Sequence, residues 1–274
     1  MNSSTTLRAT APGAALAVAA LLAQSACRKT VSSAASGPSD IASSGSWAGH
    51  VVRTAGERER PTQVVILLHG WGAPGDDLVP LSQVLSAPGR LFVFPEAQLT
   101  SPGGGRAWWH LDINRVISAR ERGQERDLRN EVPTGLAEAR AGVAAVVAEA
   151  QKRTKLPSSS IVLGGFSQGA MLAMDVALSL KDHPAAVVAL SGTLLTEAQW
   201  RSGIAALTKA MPTFLSHGVH DPVLPFHLAE ALRDCLQAAN QPVTWVPFSG
   251  GHEIPREVLI KLSSFLNQAG KVAQ

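Results

Sequence analysis

Six short runs of apolar and β-branched residues, none broken by a charge, divide most of this chain: 64–68 (VVILL), 91–94 (LFVF), 161–163 (IVL), 187–190 (VVAL), 214–215 (FL) and 243–246 (VTWV). Hydrophobicity that is continuous rather than alternating marks strands covered on both faces, as in a parallel sheet. Between the runs the period changes to that of a helix. Leu136, Val143, Val146, Val147 and Ala150 share one face, with Glu138, Arg140, Glu149 and Arg153 on others; Val258, Leu259, Leu262, Phe265 and Leu266 repeat the pattern near the end of the chain. Strand and helix therefore alternate, which predicts the α/β class: a mostly parallel central sheet with helices on both faces. At 274 residues the chain is near the upper size of one hydrophobic core, so one large domain is expected.

Composition narrows the function classes. The chain is 45% hydrophobic and 16% charged, against a typical charged share of about 25%, which excludes a disordered scaffold. Lys plus Arg number 24 and Asp plus Glu 21, and no basic stripe stands out, so nucleic acid is not an expected partner. Tyrosine is absent, which removes phenolic acid–base chemistry, and the two cysteines, Cys27 and Cys235, cannot build a disulfide framework or a zinc cage alone. Cys235, on an expected helix, reads as a small buried hydrophobe.

The first 27 residues carry one charge, Arg8, then an Ala- and Leu-rich run, then Gln24, Ser25, Ala26 and Cys27. This reads as a secretory signal peptide with an apolar centre too short to span a bilayer permanently. The small residues before Cys27 resemble a bacterial lipoprotein processing site, which would leave a lipidated Cys27 holding the protein on a membrane surface; ordinary cleavage after Ser25 is the competing reading. A cell-envelope location, periplasmic or lipid-anchored, or secretion follows from either. Residues 28–46 are rich in serine and poor in bulky apolar groups, and are expected to be a flexible tether, with the folded domain spanning 47–274.

The chemistry concentrates in residues 161–170 (IVLGGFSQGA): a strand, a tight turn and the start of a helix, with Gly165, Ser167 and Gly169 in the spacing Gly-x-Ser-x-Gly. Glycines on both sides of the serine let a strand reverse sharply into a helix and leave Ser167 at an exposed apex. A serine hydroxyl needs a base, and the base needs a carboxylate to hold its ring. Of eight histidines, His252 alone follows a strand through a glycine turn (Ser249, Gly250, Gly251) and precedes an amphipathic helix, at the strand end where open α/β sheets bind ligands. Asp221 follows another strand, giving the chain order Ser167, Asp221, His252. A rival reading takes His217, His220, Asp221 and His252 as metal ligands, although Gly218 and Pro222 favour a loop over a ligand-presenting helix. An alkoxide formed on Ser167 attack would need two donors: the Gln168 N–H at the helix start and a second N–H from residues 70–72, with Trp71 favoured. Residues 96–130 show no strong period, yet hold Trp108 and Trp109; these rings either pack inward or form a wall of a substrate site.

Four segments in order, LLHGWG (67–72), GGFSQG (164–169), HGVHDPVLP (217–225) and GGHEIP (250–255), resemble the phospholipase/carboxylesterase family of serine esterases, related to acyl-protein thioesterases. The resemblance runs from about Val64 to Leu266. It implies the α/β-hydrolase fold, a triad of Ser167, Asp221 and His252, Trp71 and Gln168 as oxyanion donors, and neither metal nor cofactor. The expected activity is hydrolysis of a small-molecule carboxylic ester with a small or partly apolar acyl or aryl group, with Trp108 and Trp109 as substrate-binding residues. Phospholipase, thioesterase and polysaccharide-linked acyl esterase are alternatives on the same fold. A reading of another class is an exported, non-catalytic binding lipoprotein. Oligomeric state is left open.

Overall fold

The computed structural model describes residues 43–269, apart from 113–117, 119–120 and 126. The leader, Cys27 and the greater part of the expected tether lie outside the described residues. Among those described, eight strands form one sheet in the order β1-β2-β4-β3-β7-β8-β9-β10. They are β1 (Ser43–Trp47), β2 (His50–Gly56), β3 (Gln63–Leu68), β4 (Arg90–Pro95), β7 (Ile161–Phe166), β8 (Ala186–Leu190), β9 (Thr213–Gly218) and β10 (Val243–Phe248); β5 (Leu99–Thr100) and β6 (Arg106–Ala107) make a separate two-residue ribbon. β1 and β2 pair antiparallel, as do β2 and β4, and every other pairing in the large sheet is parallel.

The six apolar runs are the six parallel strands, and their pleat sorts each run into two cores. On β3, Val64, Ile66 and Leu68 join one cluster while Val65 and Leu67 join the other; on β4, Leu91 and Val93 oppose Phe92 and Phe94. The first face is covered by α2 (Leu136–Thr154), α3 (Gln168–Ser179), α4 (Glu197–Ala205) and α5 (Phe226–Ala238); the second by α1 (Leu81–Val84) and α6 (Arg256–Gln268). Helices thus lie on both faces of a mostly parallel sheet, as the alternation of periods requires. One ion pair ties the first layer together. Asp175 of α3, buried, accepts from Arg140 of α2 at 2.6 and 3.2 Å and from the Trp200 indole of α4 at 3.0 Å. Stripping this buried carboxylate of its arginine would cost about 3–5 kcal/mol, because it leaves an uncompensated buried charge.

One expectation is corrected. The folded domain does not begin at Trp47: residues 43–46, assigned to the tether, form the edge strand β1, all four exposed. An edge strand gains its order from the ladder to β2 and from the Ser43–Thr54 hydroxyl pair at 2.8 Å, neither of which needs apolar side chains. His50 is the first residue of β2. No helix among the described residues is long and apolar enough to cross a membrane.

Candidate active site

Ser167 stands between β7 and α3 with φ 54° and ψ −118°, a backbone that a residue with a side chain adopts at a cost of about 1–3 kcal/mol. Its surroundings enforce it. The Ser167 N–H donates to the Leu190 carbonyl on β8 at 2.9 Å, and its own carbonyl accepts from Ala170 and Met171 at 3.0 and 3.2 Å. A Cβ on Gly165 would sit 2.6 Å from the Leu68 carbonyl oxygen and one on Gly169 would strike that same carbonyl, so β3 and the turn meet only because both positions are glycine. Behind the turn α3 is buried almost all round; Leu172, Met174 and Val176 have no exposure, and burial of each stabilises the fold by about 1.5–3 kcal/mol.

Two loops from the same end of the sheet complete the arrangement. The Ser167 hydroxyl lies 2.8 Å from Nε2 of His252, and Nδ1 of His252 lies 2.6 Å from Oδ2 of Asp221. The Phe166 ring packs on the His252 imidazole with centroids 4.8 Å apart. The loops brace each other through backbone bonds from Val219 N–H to Phe248 and from His220 N–H to Gly250, both 3.0 Å. Asp221 is held on its other oxygen, where Oδ1 accepts the N–H groups of Val223 and Leu224 at 2.7 and 2.9 Å. Burial pushes the Asp221 carboxyl up, but hydrogen bonds from His217 and His252 outweigh it and hold the group well below the usual carboxylate range. The carboxylate therefore stays ionised and can orient and support an imidazolium. That chain of contacts gives a hydroxyl an adjacent base and the base an anionic partner, the requirements of nucleophilic acyl transfer.

His217 is a participant that sequence reasoning considered only as a metal ligand. Its side chain has no exposure, and its Nε2 stands 3.0 Å from the Leu224 carbonyl and 3.2 Å from Asp221 Oδ2. A carbonyl can only accept, so Nε2 carries the proton and His217 donates into the site. Its position four residues before Asp221, on a strand that carries it inward, was the available signal. His220, grouped with it in the metal reading, is exposed.

Gln168, one expected oxyanion donor, follows Ser167 directly, and the loop carrying the other, Trp71, comes close to the serine at Gly70, where a Cβ would lie 3.4 Å from the Ser167 Cβ. Among the described residues neither the Trp71 N–H nor the Gln168 N–H donates to a backbone carbonyl. His69, just before that loop, is buried; its Nδ1–H donates to the Gly70 carbonyl at 2.8 Å and its Nε2 accepts the Ala97 N–H at 3.1 Å. Burial lowers its pKa to about 4, so it remains neutral in this tautomer near pH 7. Trp108 and Trp109 require a correction. They are 4% and 0% exposed, packed inward and not available as an open substrate wall. The two bulky rings gain more from the core than from solvent, and the chain between them and the site uses their backbone.

The family profile for Phospholipase/Carboxylesterase matches residues 50–269. The chain belongs to the phospholipase/carboxylesterase family. As an α/β-hydrolase of that family it is a hydrolase of esterase or thioesterase type. It is 27% identical over 219 residues to acyl-protein thioesterase 1 of Neurospora crassa, covering 76% of this chain and 87% of that protein, and 28% identical over 186 residues to acyl-protein thioesterase 1 of Cryptococcus neoformans, covering 65% and 74%. Among solved structures, esterase PE8 superposes with a TM-score of 0.68 at 28% identity, over 79% of this chain and 97% of its own. The carboxylesterase from Mesorhizobium loti, at 20% identity and a TM-score of 0.62 over 81% and 95%, shares the fold.

Proposed function

We propose that this phospholipase/carboxylesterase family member is a serine ester hydrolase working through an acyl-enzyme. The observation that carries the reading is the unbroken contact chain from Asp221 through His252 to Ser167, at 2.6 and 2.8 Å. Ser167 Oγ attacks the ester carbonyl carbon while His252 Nε2 takes the hydroxyl proton; the carbonyl π-electrons move to oxygen, giving a tetrahedral alkoxide. The N–H groups of Trp71 and Gln168 receive that oxygen, and Asp221 stabilises the imidazolium through Nδ1–H. The alkoxide re-forms the carbonyl, the C–O bond to the leaving group breaks, and His252 returns its proton to the departing alcohol. Water then repeats the sequence on the acyl-serine: His252 takes a water proton, hydroxide adds, and Ser167 leaves with the proton as free acid is released.

The substrate is a small-molecule ester with a small or partly apolar acyl or aryl group. With Trp108 and Trp109 inward, those rings do not support this preference, and the ester series below decides it. A thioester is the second reading, favoured by the names of the fungal relatives; the same steps serve it, with a thiol leaving. The discriminating experiment is a series of activated oxyesters from acetyl to palmitoyl with matched thioesters. Saturable turnover with a pre-steady-state burst is expected for at least the short oxyesters. A folded chain that turns over no member of either series contradicts the proposal.

A further inference from the structure

The Gln168 side chain does something the elbow motif does not require. It is buried, its Oε1 accepts the Trp108 backbone N–H at 2.9 Å, and its Nε2 donates to the Trp109 carbonyl at 3.0 Å. The amide thus grips one edge of the backbone at Trp108 and Trp109 much as a neighbouring strand would. The same short segment, two residues earlier, grips the other loop: the Gly72 N–H donates to the Arg106 carbonyl at 2.8 Å and the Arg106 N–H to the Ala73 carbonyl at 2.9 Å. A third attachment runs from the Trp108 indole N–H to the His69 carbonyl at 2.9 Å. The contact is close enough that a Cβ on Gly105 would collide with the Gly72 carbonyl.

These attachments straddle the two N–H groups of interest. Trp71 lies between His69 and Gly72, both bound to the segment, and the Gln168 N–H belongs to the residue whose side chain holds its far end. We propose that residues 106–109 act as a strut that fixes the separation and direction of the Trp71 and Gln168 N–H groups, with the Gln168 side-chain amide as its positioning element. The inference rests on the reading that these two groups receive the substrate's carbonyl oxygen. It gives the buried tryptophans a role in rate rather than in substrate selection. It also explains why a turn residue valued for its backbone donor carries a long, doubly hydrogen-bonding side chain. Preorganised donors matter because an alkoxide is stabilised only where the N–H groups already point, and an error of about 1 Å is enough to cost about 10²-fold.

The test replaces the amide while keeping the backbone N–H. Gln168→Met has similar length and no hydrogen-bonding capacity; Gln168→Glu keeps an acceptor for Trp108 but sets a carboxylate oxygen against the Trp109 carbonyl. Both are expected to lower kcat by about 10- to 100-fold with KM within about threefold. Affinity for a trifluoromethyl ketone, which forms a tetrahedral adduct, should fall in parallel with kcat/KM. For Gln168→Glu the ratio of wild-type to variant kcat should shrink as pH is lowered from about 8 to about 5.5, because a protonated carboxyl can again donate to Trp109. Wild-type kcat in both variants, or a loss in which KM rises and ketone affinity is unchanged, overturns the strut. If Gln168→Met does not fold, Trp108→Phe, which removes the indole donor to His69, carries the same expectation of lost kcat at constant KM. A wild-type protein whose own Ser167 is unreactive toward a fluorophosphonate would instead overturn the reading of the site, so the two failures are separable.

Discussion

Ser167→Ala is expected to lower kcat for an activated ester by about 10⁴-fold or more while leaving KM within a few-fold and the fold intact. Alanine keeps a Cβ at the strained φ of 54°, so the turn bears no new conformational cost. It removes the hydroxyl oxygen that lies 2.8 Å from His252 Nε2. Without it, His252 has only water to activate, and the residual rate reflects the donors and the bound geometry. Steady-state assays on purified protein, with circular dichroism to confirm folding, decide the matter. Turnover within tenfold of wild type would require a nucleophile elsewhere.

Asp221→Asn is expected to cost about 10³- to 10⁴-fold in kcat, and the surrounding hydrogen bonds say why. The Oδ1 position receives two backbone N–H groups, from Val223 and Leu224, so an asparagine must place its carbonyl oxygen there. Its NH₂ then occupies the Oδ2 position, facing Nδ1 of His252 across 2.6 Å. The ring answers by accepting at Nδ1 and carrying its proton on Nε2, and so presents a donor to Ser167 where a base is needed. His217 reinforces the outcome, because its Nε2–H also faces the NH₂ and must turn wholly to the Leu224 carbonyl. The native carboxylate has the opposite property: held well below the usual range, it contributes no step to the pH–rate profile down to the ordinary carboxylate region near pH ~4. A variant retaining more than a tenth of wild-type kcat would show that Asp221 does not set the tautomer.

The parallel part of the sheet was legible because β3, β4, β7, β8 and β9 are buried on both faces and so appear as unbroken apolar runs; β10, at the sheet edge, carries such a run although it is only partly buried. What escaped was whatever is ordered by backbone bonding rather than by side-chain burial. β1 carries serines and a glycine into the sheet edge, and β5 and β6 are two residues each, too short for any period. The loops bearing Ser167, Asp221 and His252 could be found one at a time, since glycine and proline mark the turns where strands end. Their mutual distances could not, because those depend on how three separated segments stack against one another. Trp108 and Trp109 show the limit most clearly: a pair of tryptophans in an aperiodic stretch fits a substrate wall and a core plug equally, and only burial distinguishes them. The Gln168 side chain acts through partners about 60 residues away and had no local signal of its role, whereas the spacing of His217 from Asp221 was a local one.

The claim on which the rest depends is that Ser167 is the acylated residue. It is tested most directly by treating the folded protein with a fluorophosphonate and mapping the modified peptide by mass spectrometry. One adduct per chain, on Ser167 and lost in a His252→Ala variant, is the predicted result. An adduct on another side chain, or none on folded wild-type protein, would contradict it.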